Sequence, residues 1–225
     1  MPATATPAEL DSAYAGITAA VRDLSDEDLQ RPTRCHGWVV ADLLFHVLCD
    51  ARRALVALAS PADGPPDVDA VSYWAAYSQE WSDAAGRHAW WARRSAAAFD
   101  RPRGIVDVWS DTAPATARAA TRWGPEDLVT TQGHVLTVAD LLGTLVTEAV
   151  IHHLDLTVEL PGAPPPASAA VAVATATMDG LLDAGPVPDR WTPTGYLLRA
   201  AGREPLDADD RAALGTVADR FPLLR

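Results

Sequence analysis

Glu148 and His152 stand four residues apart in a stretch, about Val138 to Leu160, that reads as the longest clean helix of the chain. Its residues Val138, Leu141, Leu142, Leu145, Ala149 and Leu156 form one apolar stripe at about 100° per residue. Positions four apart lie one above the other on a helix, so carboxylate and imidazole share a face that falls against this stripe. Asp155 and Glu159 lie on the same flank. A carboxylate turned into a core is costly unless it is paired or bound to a cation. Three partners could compensate Glu148: a divalent ion shared with His152, a hydrogen bond from His152, or an arginine. The first is chemically coherent, because imidazole and carboxylate both suit zinc and similar ions.

A third donor is available on another element. His46 sits at the margin of a stripe made by Val40, Leu43, Leu44, Val47, Ala51 and Leu55. It is either a core-edge histidine capped by a carbonyl or water, or a ligand. One His from one helix with a Glu and a His from another is what a three-ligand bundle site requires. Three protein ligands leave a coordination position open, which marks a catalytic rather than a structural ion. His36, His88, His134 and His153 carry less weight. His153 points about 100° away from His152, so the two cannot serve one ion.

The elements that must position these groups read as helices throughout. Leu10, Tyr14, Ile17, Val21 and Leu24 recur at helical spacing, and Ser25-x-x-Asp28 starts one further turn. A loop at 31–37 leads into a helix of about Trp38 to Ala59, stopped by Ser60-Pro61. Residues 70–122 look helical with poorer periodicity, broken near Asp100-Arg101-Pro102 and strained by Pro114. After the helix from Val138 come one from Ser168 to Ala184 and two short ones near 194–201 and 207–220. No period-2 strand of useful length stands out. The expectation is an all-α four-helix bundle over residues 1–165, with short additional C-terminal helices in 166–225 packed on the same domain.

Composition sets the function classes aside. The 225 residues carry a formal charge of −12, and all 18 basic residues are arginine. Such a charge argues against nucleic acid or anionic lipid as a partner. No run approaches a membrane span, and the first residues lack the pattern of a secretory signal, so a cytoplasmic protein is expected. Two cysteines, Cys35 and Cys49, suggest no disulfide framework. The absence of Lys and Asn points to a high-GC bacterial genome.

Two segments carry a resemblance. Thr33-Arg34-Cys35-His36-Gly37-Trp38-Val39-Val40-Ala41-Asp42-Leu43-Leu44-Phe45-His46 resembles the T-x-C-x-G-W-x-V-x-D-L-L-x-H segment of the mycothiol-dependent maleylpyruvate isomerase family. Glu148-Ala149-Val150-Ile151-His152-His153-Leu154-Asp155-Leu156 is similar to that family's E-x-x-x-H-x-x-D-L signature. These proteins belong to the DinB-like metal-binding four-helix bundles, and the resemblance covers residues 8–160. Arg199-Ala200-Ala201-Gly202-Arg203 is similar to an R-x-x-G-R helix end found in many of them. The tail is too short for the separate α/β domain of the isomerase itself.

The resemblance implies a divalent metal on His46, Glu148 and His152, zinc first with nickel or iron as alternatives, and a mycothiol-like thiol as cosubstrate. The reaction it implies is isomerisation of, or S-transfer to, a small electrophile such as an unsaturated keto acid. The alternative is a non-catalytic metal- or ligand-binding bundle; under either reading the protein is a monomer or a homodimer. Asp155, three residues after His152, is a candidate to orient it or to face a neighbouring arginine. Arg203 is a candidate to hold a substrate carboxylate by a bidentate pair, or is an exposed helix-end arginine. Cys35, before a helix start, is a nucleophile or, more commonly for such a cysteine, packed; Cys49 reads as packing. Trp38 is expected to anchor a helix start in the core. For Trp90, Trp91 and Trp109, core filling is the expected use over lining a pocket.

Overall fold

The computed structural model describes residues 5–75, 82–183, 185 and 187–224. The first helix, α1 (Pro7–Val21), opens with Pro7 in its first turn, and the Glu9 carboxylate accepts the Thr6 backbone N–H at 2.6 Å. The Ser25-x-x-Asp28 signal becomes a reciprocal turn: Asp28 N–H donates to Ser25 Oγ at 3.1 Å and Ser25 N–H to Asp28 Oδ2 at 3.2 Å. Four more long helices follow: α2 (Val40–Leu58), α3 (Ser82–Ala96), α4 (Arg103–Ala120) and α5 (Val138–Leu156). Then come α6 (Ser168–Leu182), α7 (Pro193–Ala200), α8 (Ala208–Leu214) and a closing 3-10 turn, Gly215–Arg220.

The bundle is a ring of four. α1 and α2 each pack against both α4 and α5, which makes α1 and α2 the two corners between them. Leu10, Ile17, Leu43, Leu44, Leu48, Ile105, Trp109, Leu142 and Leu156 fill the interior. Each large side chain withdrawn from water is worth roughly 1.5–3 kcal/mol. Trp109 also finds a partner for its N–H, Thr18 Oγ1 at 2.9 Å, and stands edge-on to Tyr14. α3 lies on α2, while α6 covers the outer side of α5 and touches α1, and α7 packs on α6. Because α5 has neighbours on both sides, it is buried around most of its circumference, and the polar residues it carries are drawn inside.

Several expectations are corrected. A hairpin, β1 (Leu128–Thr131) and β2 (His134–Thr137), stands where no strand was expected. Its two-residue turn, Gln132-Gly133, has φ of 51° and 84°, the paired left-handed conformation that lets strands reverse without splaying. Strands of four residues are too short to establish a period of two. The hairpin runs straight into α5, whose first N–H groups are held by Asp127 O and Pro125 O. Thr137 caps the helix, its Oγ1 accepting from Asp140 N–H at 3.0 Å.

α2 begins two residues later than expected, since Pro32 and Val39 pair as an isolated bridge. α5 stops at Leu156 rather than Leu160, where Thr157 N–H and Oγ1 both turn back to His153 O. In 70–122 the break falls between Ala96 and Arg103, and α4 continues through Pro114. The part of that expectation on residues 76–81 lies outside the described residues. Trp109 fills the core, but Trp90 and Trp91 stay exposed. Arg94 lies over the Trp90 ring, while Trp91 rests against Phe45 and His88.

Candidate metal centre

α2 and α5 face each other inside the ring, and the three expected donors meet between them. Glu148 Oε1 lies 3.0 Å from His46 Nε2 and 3.2 Å from His152 Nε2. The donor atoms of His46, Glu148 and His152 all fall within 4.8 Å of one another. The two imidazole planes stand nearly perpendicular, with ring centres 4.9 Å apart. Trp38, half-buried at the entrance to α2, packs edge-on against His46 rather than deep in the core.

Behind His152 a second network closes. Asp155 Oδ2 lies 3.1 Å from His152 Nδ1, and the Arg203 guanidinium grips both carboxylate oxygens at 3.0–3.1 Å. Cys35 Sγ donates to Asp155 Oδ2 at 3.3 Å, with Arg203 Nη2 3.8 Å from the sulfur. Cys35, His152 and Asp155 form a second trio at metal-binding distances. The guanidinium already occupies the place of the cation there, so the trio reads as a hydrogen-bonded support for His152. Burial pushes the Asp155 carboxyl up, but the hydrogen bonds from His152 and Arg203 win and bring it down to about 2.

The geometry can be tested against an ion from within. If Asp155 takes the Nδ1–H of a neutral His152, the lone pair on Nε2 faces the Glu148 carboxylate oxygen, acceptor against acceptor. Such a contact needs a positive charge between, either a proton or a metal ion. In the ion-free protein the proton answers. Burial disfavours imidazolium, but the Glu148 charge and then the bond to Asp155 raise His152 well above its ordinary value. Burial likewise favours neutral Glu148, and the two imidazoles overcome it, holding the carboxyl well below the usual range. The donor set therefore fits a divalent ion, which would take the proton's place.

A titration follows from this. Zinc uptake at neutral pH is expected to release about one proton per chain, with affinity rising about tenfold per pH unit below the His152 pKa. The slope of calorimetric enthalpy against buffer ionisation enthalpy reads the count. A slope of zero would contradict the arrangement.

Other expected residues take plainer places. His153, turned away from His152, points at α1, where Gly16 makes room: a Cβ there would stand 3.0 Å from His153 Cε1. Its Nε2 reaches Pro164 O at 2.9 Å and ties the end of α5 to the following loop. Arg203 is committed to Asp155 and to Ala201 O, so the geometry gives it a carboxylate of the protein rather than of a ligand. Cys49 is half-buried, and desolvation pushes its thiol up to about 11.

Two residues given little or no weight stand at the centre. His88 Nε2 lies 3.2 Å from His46 Nδ1; burial and the neighbouring His46 bring its pKa down to about 4, so it is neutral near pH 7. Asp50, one turn beyond His46 on α2, was missed, although the i,i+4 spacing that singled out Glu148 and His152 applies to His46 and Asp50 as well. A cavity of about 50 Å³ opens beside the triad, walled by His46, Asp50, Arg53, Tyr73, His88 and Glu148. That is room for a few waters, or for the head of a ligand entering from outside.

The fold and site together define a helical bundle with a partly buried His-Glu-His centre next to a small cavity. Residues 10–157 match the mycothiol maleylpyruvate isomerase N-terminal domain, and the chain belongs to that family. No curated protein matches the chain, and no solved structure matches it. Among the described residues no helix is long and apolar enough to cross a membrane.

Proposed function

We propose that this protein is a metal-dependent enzyme that uses a low-molecular-weight, mycothiol-like thiol to isomerise a small electrophile such as an unsaturated keto acid, or to join that thiol to it through sulfur. The observation that carries the reading is the convergence of His46 Nε2, Glu148 Oε1 and His152 Nε2 beside a cavity, in a chain of this family. These three residues would hold the ion, zinc first, with two neutral imidazoles and one carboxylate. When bound, the ion supplies the positive charge that turns a thiol, free pKa about 8.5, into the nucleophilic thiolate near neutral pH.

The chain's own groups do the positioning. Asp155 fixes the proton of His152 on Nδ1, so that Nε2 faces the centre, and Arg203 holds Asp155 in place as a positioning residue. Tyr73, Trp74 and Leu145 line the cavity and supply its apolar wall. With a cis-enoic keto acid, sulfur adds to the double bond and the carbonyl takes up the electron pair as enolate. The new single bond rotates, and expulsion of the same thiolate restores the double bond in trans. If the enolate carbon instead takes up the proton that the thiol gave up, the product is the thioether, and the same site is an S-transferase. We place this chemistry in the cytoplasm, where low-molecular-weight thiols stay reduced.

The test supplies zinc-loaded protein with mycothiol or a cysteine-based surrogate and a cis-unsaturated keto acid, following the loss of the acid and the product formed. Thiol-dependent trans isomer or thioether, abolished in His46→Ala, is the expected result. Zinc and thiol both bound, with neither product, would leave a binding protein and end the enzyme reading.

A further inference from the structure

Asp50 repeats on α2 what His152 does on α5: it follows a centre residue by four positions and returns to the same face. Its carboxylate is buried, 7% exposed. Oδ1 accepts from Arg53 Nη1 at 2.8 Å. Oδ2 lies 3.5 Å from His46 Nε2 and is buried without a hydrogen-bond partner, in a residue that helps to wall the cavity. Leaving a buried carboxylate oxygen unpaired is costly, and a protein keeps such a cost where something else supplies the missing donor. Tyr14, on α1, adds a second case: its buried hydroxyl has no partner either, and it lies near enough to Asp50 and Glu148 to feel both charges. One unpaired carboxylate oxygen therefore stands next to a three-donor centre. Asp50 itself lies outside the group of atoms that fall within 4.8 Å of one another, which sets it beside the ion's position rather than among its ligands.

We propose that Asp50 selects what occupies the open position of the centre, its free oxygen holding by hydrogen bond the hydrogen that a thiol S–H or a water O–H brings to the centre, and its charge turning away small anions that bring none. This rests on the reading of the triad as a metal centre that takes a thiol. The charge count gives the sign. A divalent ion brings two positive charges, Glu148 and Asp50 return two negative ones, and Arg53 restores one positive at the cavity wall. Replacing Asp50 by Asn removes one negative charge from the ring around the open position and frees Arg53. A unit charge a few ångströms away in such a site changes anion affinity by about tenfold or more.

Cobalt(II)-loaded protein makes this measurable, because its visible absorption reports on ligands entering the open position. Azide serves as the proton-free anion and 2-mercaptoethanol as the thiol, titrated into wild type, Asp50→Asn and Arg53→Gln, with circular dichroism to show that each is folded. Asp50→Asn is expected to keep cobalt within a few-fold of wild type and to shift the azide-to-thiol affinity ratio about tenfold toward azide. Arg53→Gln, on the opposite side of the charge count, is expected to weaken azide. The same ratio in all three proteins overturns the proposal. A loss of cobalt in Asp50→Asn as large as in His46→Ala also overturns it, by making Asp50 a ligand outright. Failure of the wild type to bind cobalt would instead bring down the metal reading on which the proposal stands.

Discussion

Titrated with zinc, the wild-type chain is expected to take up about one ion, and His46→Ala and Glu148→Ala to take up none at the same free concentration. The reason is geometric. His46 is the donor that α2 contributes; without it, the remaining pair sits on α5 alone, as an i,i+4 pair of the kind common on helix surfaces. Glu148 is the only anionic member, and both imidazoles face its Oε1. Its loss removes the ligand that makes the others converge. The drop in affinity should exceed the roughly 10–100-fold that follows loss of a group standing behind a ligand. Equilibrium dialysis with elemental analysis measures it, and circular dichroism of the ion-free variants guards against unfolding. Stoichiometric zinc in both variants would show that the ion sits elsewhere.

Arg203→Ala carries the second large effect, and it acts on stability as well as on the ion. Asp155 is fully buried, and its partners are the imidazole of His152, the thiol of Cys35 and this guanidinium. Removing one partner of a buried ion pair strands a charge, typically at 3–5 kcal/mol. The Arg203 side chain is about a quarter exposed, so a value near the low end, about 3 kcal/mol, is expected from denaturant unfolding. Zinc affinity should fall roughly 10–100-fold as His152 loses its fixed orientation. Arg203→Lys should recover part of the stability but less of the affinity, because an ammonium cannot grip both oxygens. The pH dependence has a definite sign. Asp155 has a lowered pKa, about 2, so the pair's contribution is fully present above the ordinary carboxylate value and fades as pH falls toward 2. Unchanged stability and zinc affinity in Arg203→Ala would remove the support role altogether.

What the sequence disclosed, and what it withheld, divides along a physical line. Glu148 and His152 were legible because helical spacing is local: once the stripe through Leu141, Leu145 and Ala149 was drawn, a carboxylate on its edge stood out. Three of the four bundle helices, α1, α2 and α5, were legible for the same reason, whereas α4 lies in the stretch of poorer periodicity. The hairpin was not, since four-residue strands leave no period and its identity rests on a Gln132-Gly133 turn that has few sequence marks. Asp50 was hidden in another way. It sits one turn from His46, yet only the approach of α5 and the cavity makes that position an interior one. His88 needed the packing of α3 on α2 to be brought beside His46. The pairing of Arg203 with Asp155 joins residues 48 apart along the chain, and no spacing rule reaches so far.

His152 is a ring with two masters. Its Nε2 belongs to a set contained within the family's matched segment, while its Nδ1 answers, through Asp155, to an arginine beyond that segment. The matched bundle is thus not an independent cassette. Grafted onto another tail, it would bring along an acidic group tuned to a lost counterion, and the fault would surface at the centre rather than at the seam. Tail and bundle are therefore bound to change together: substitutions near residue 203 will be tolerated or refused according to what stands at 155 and 152.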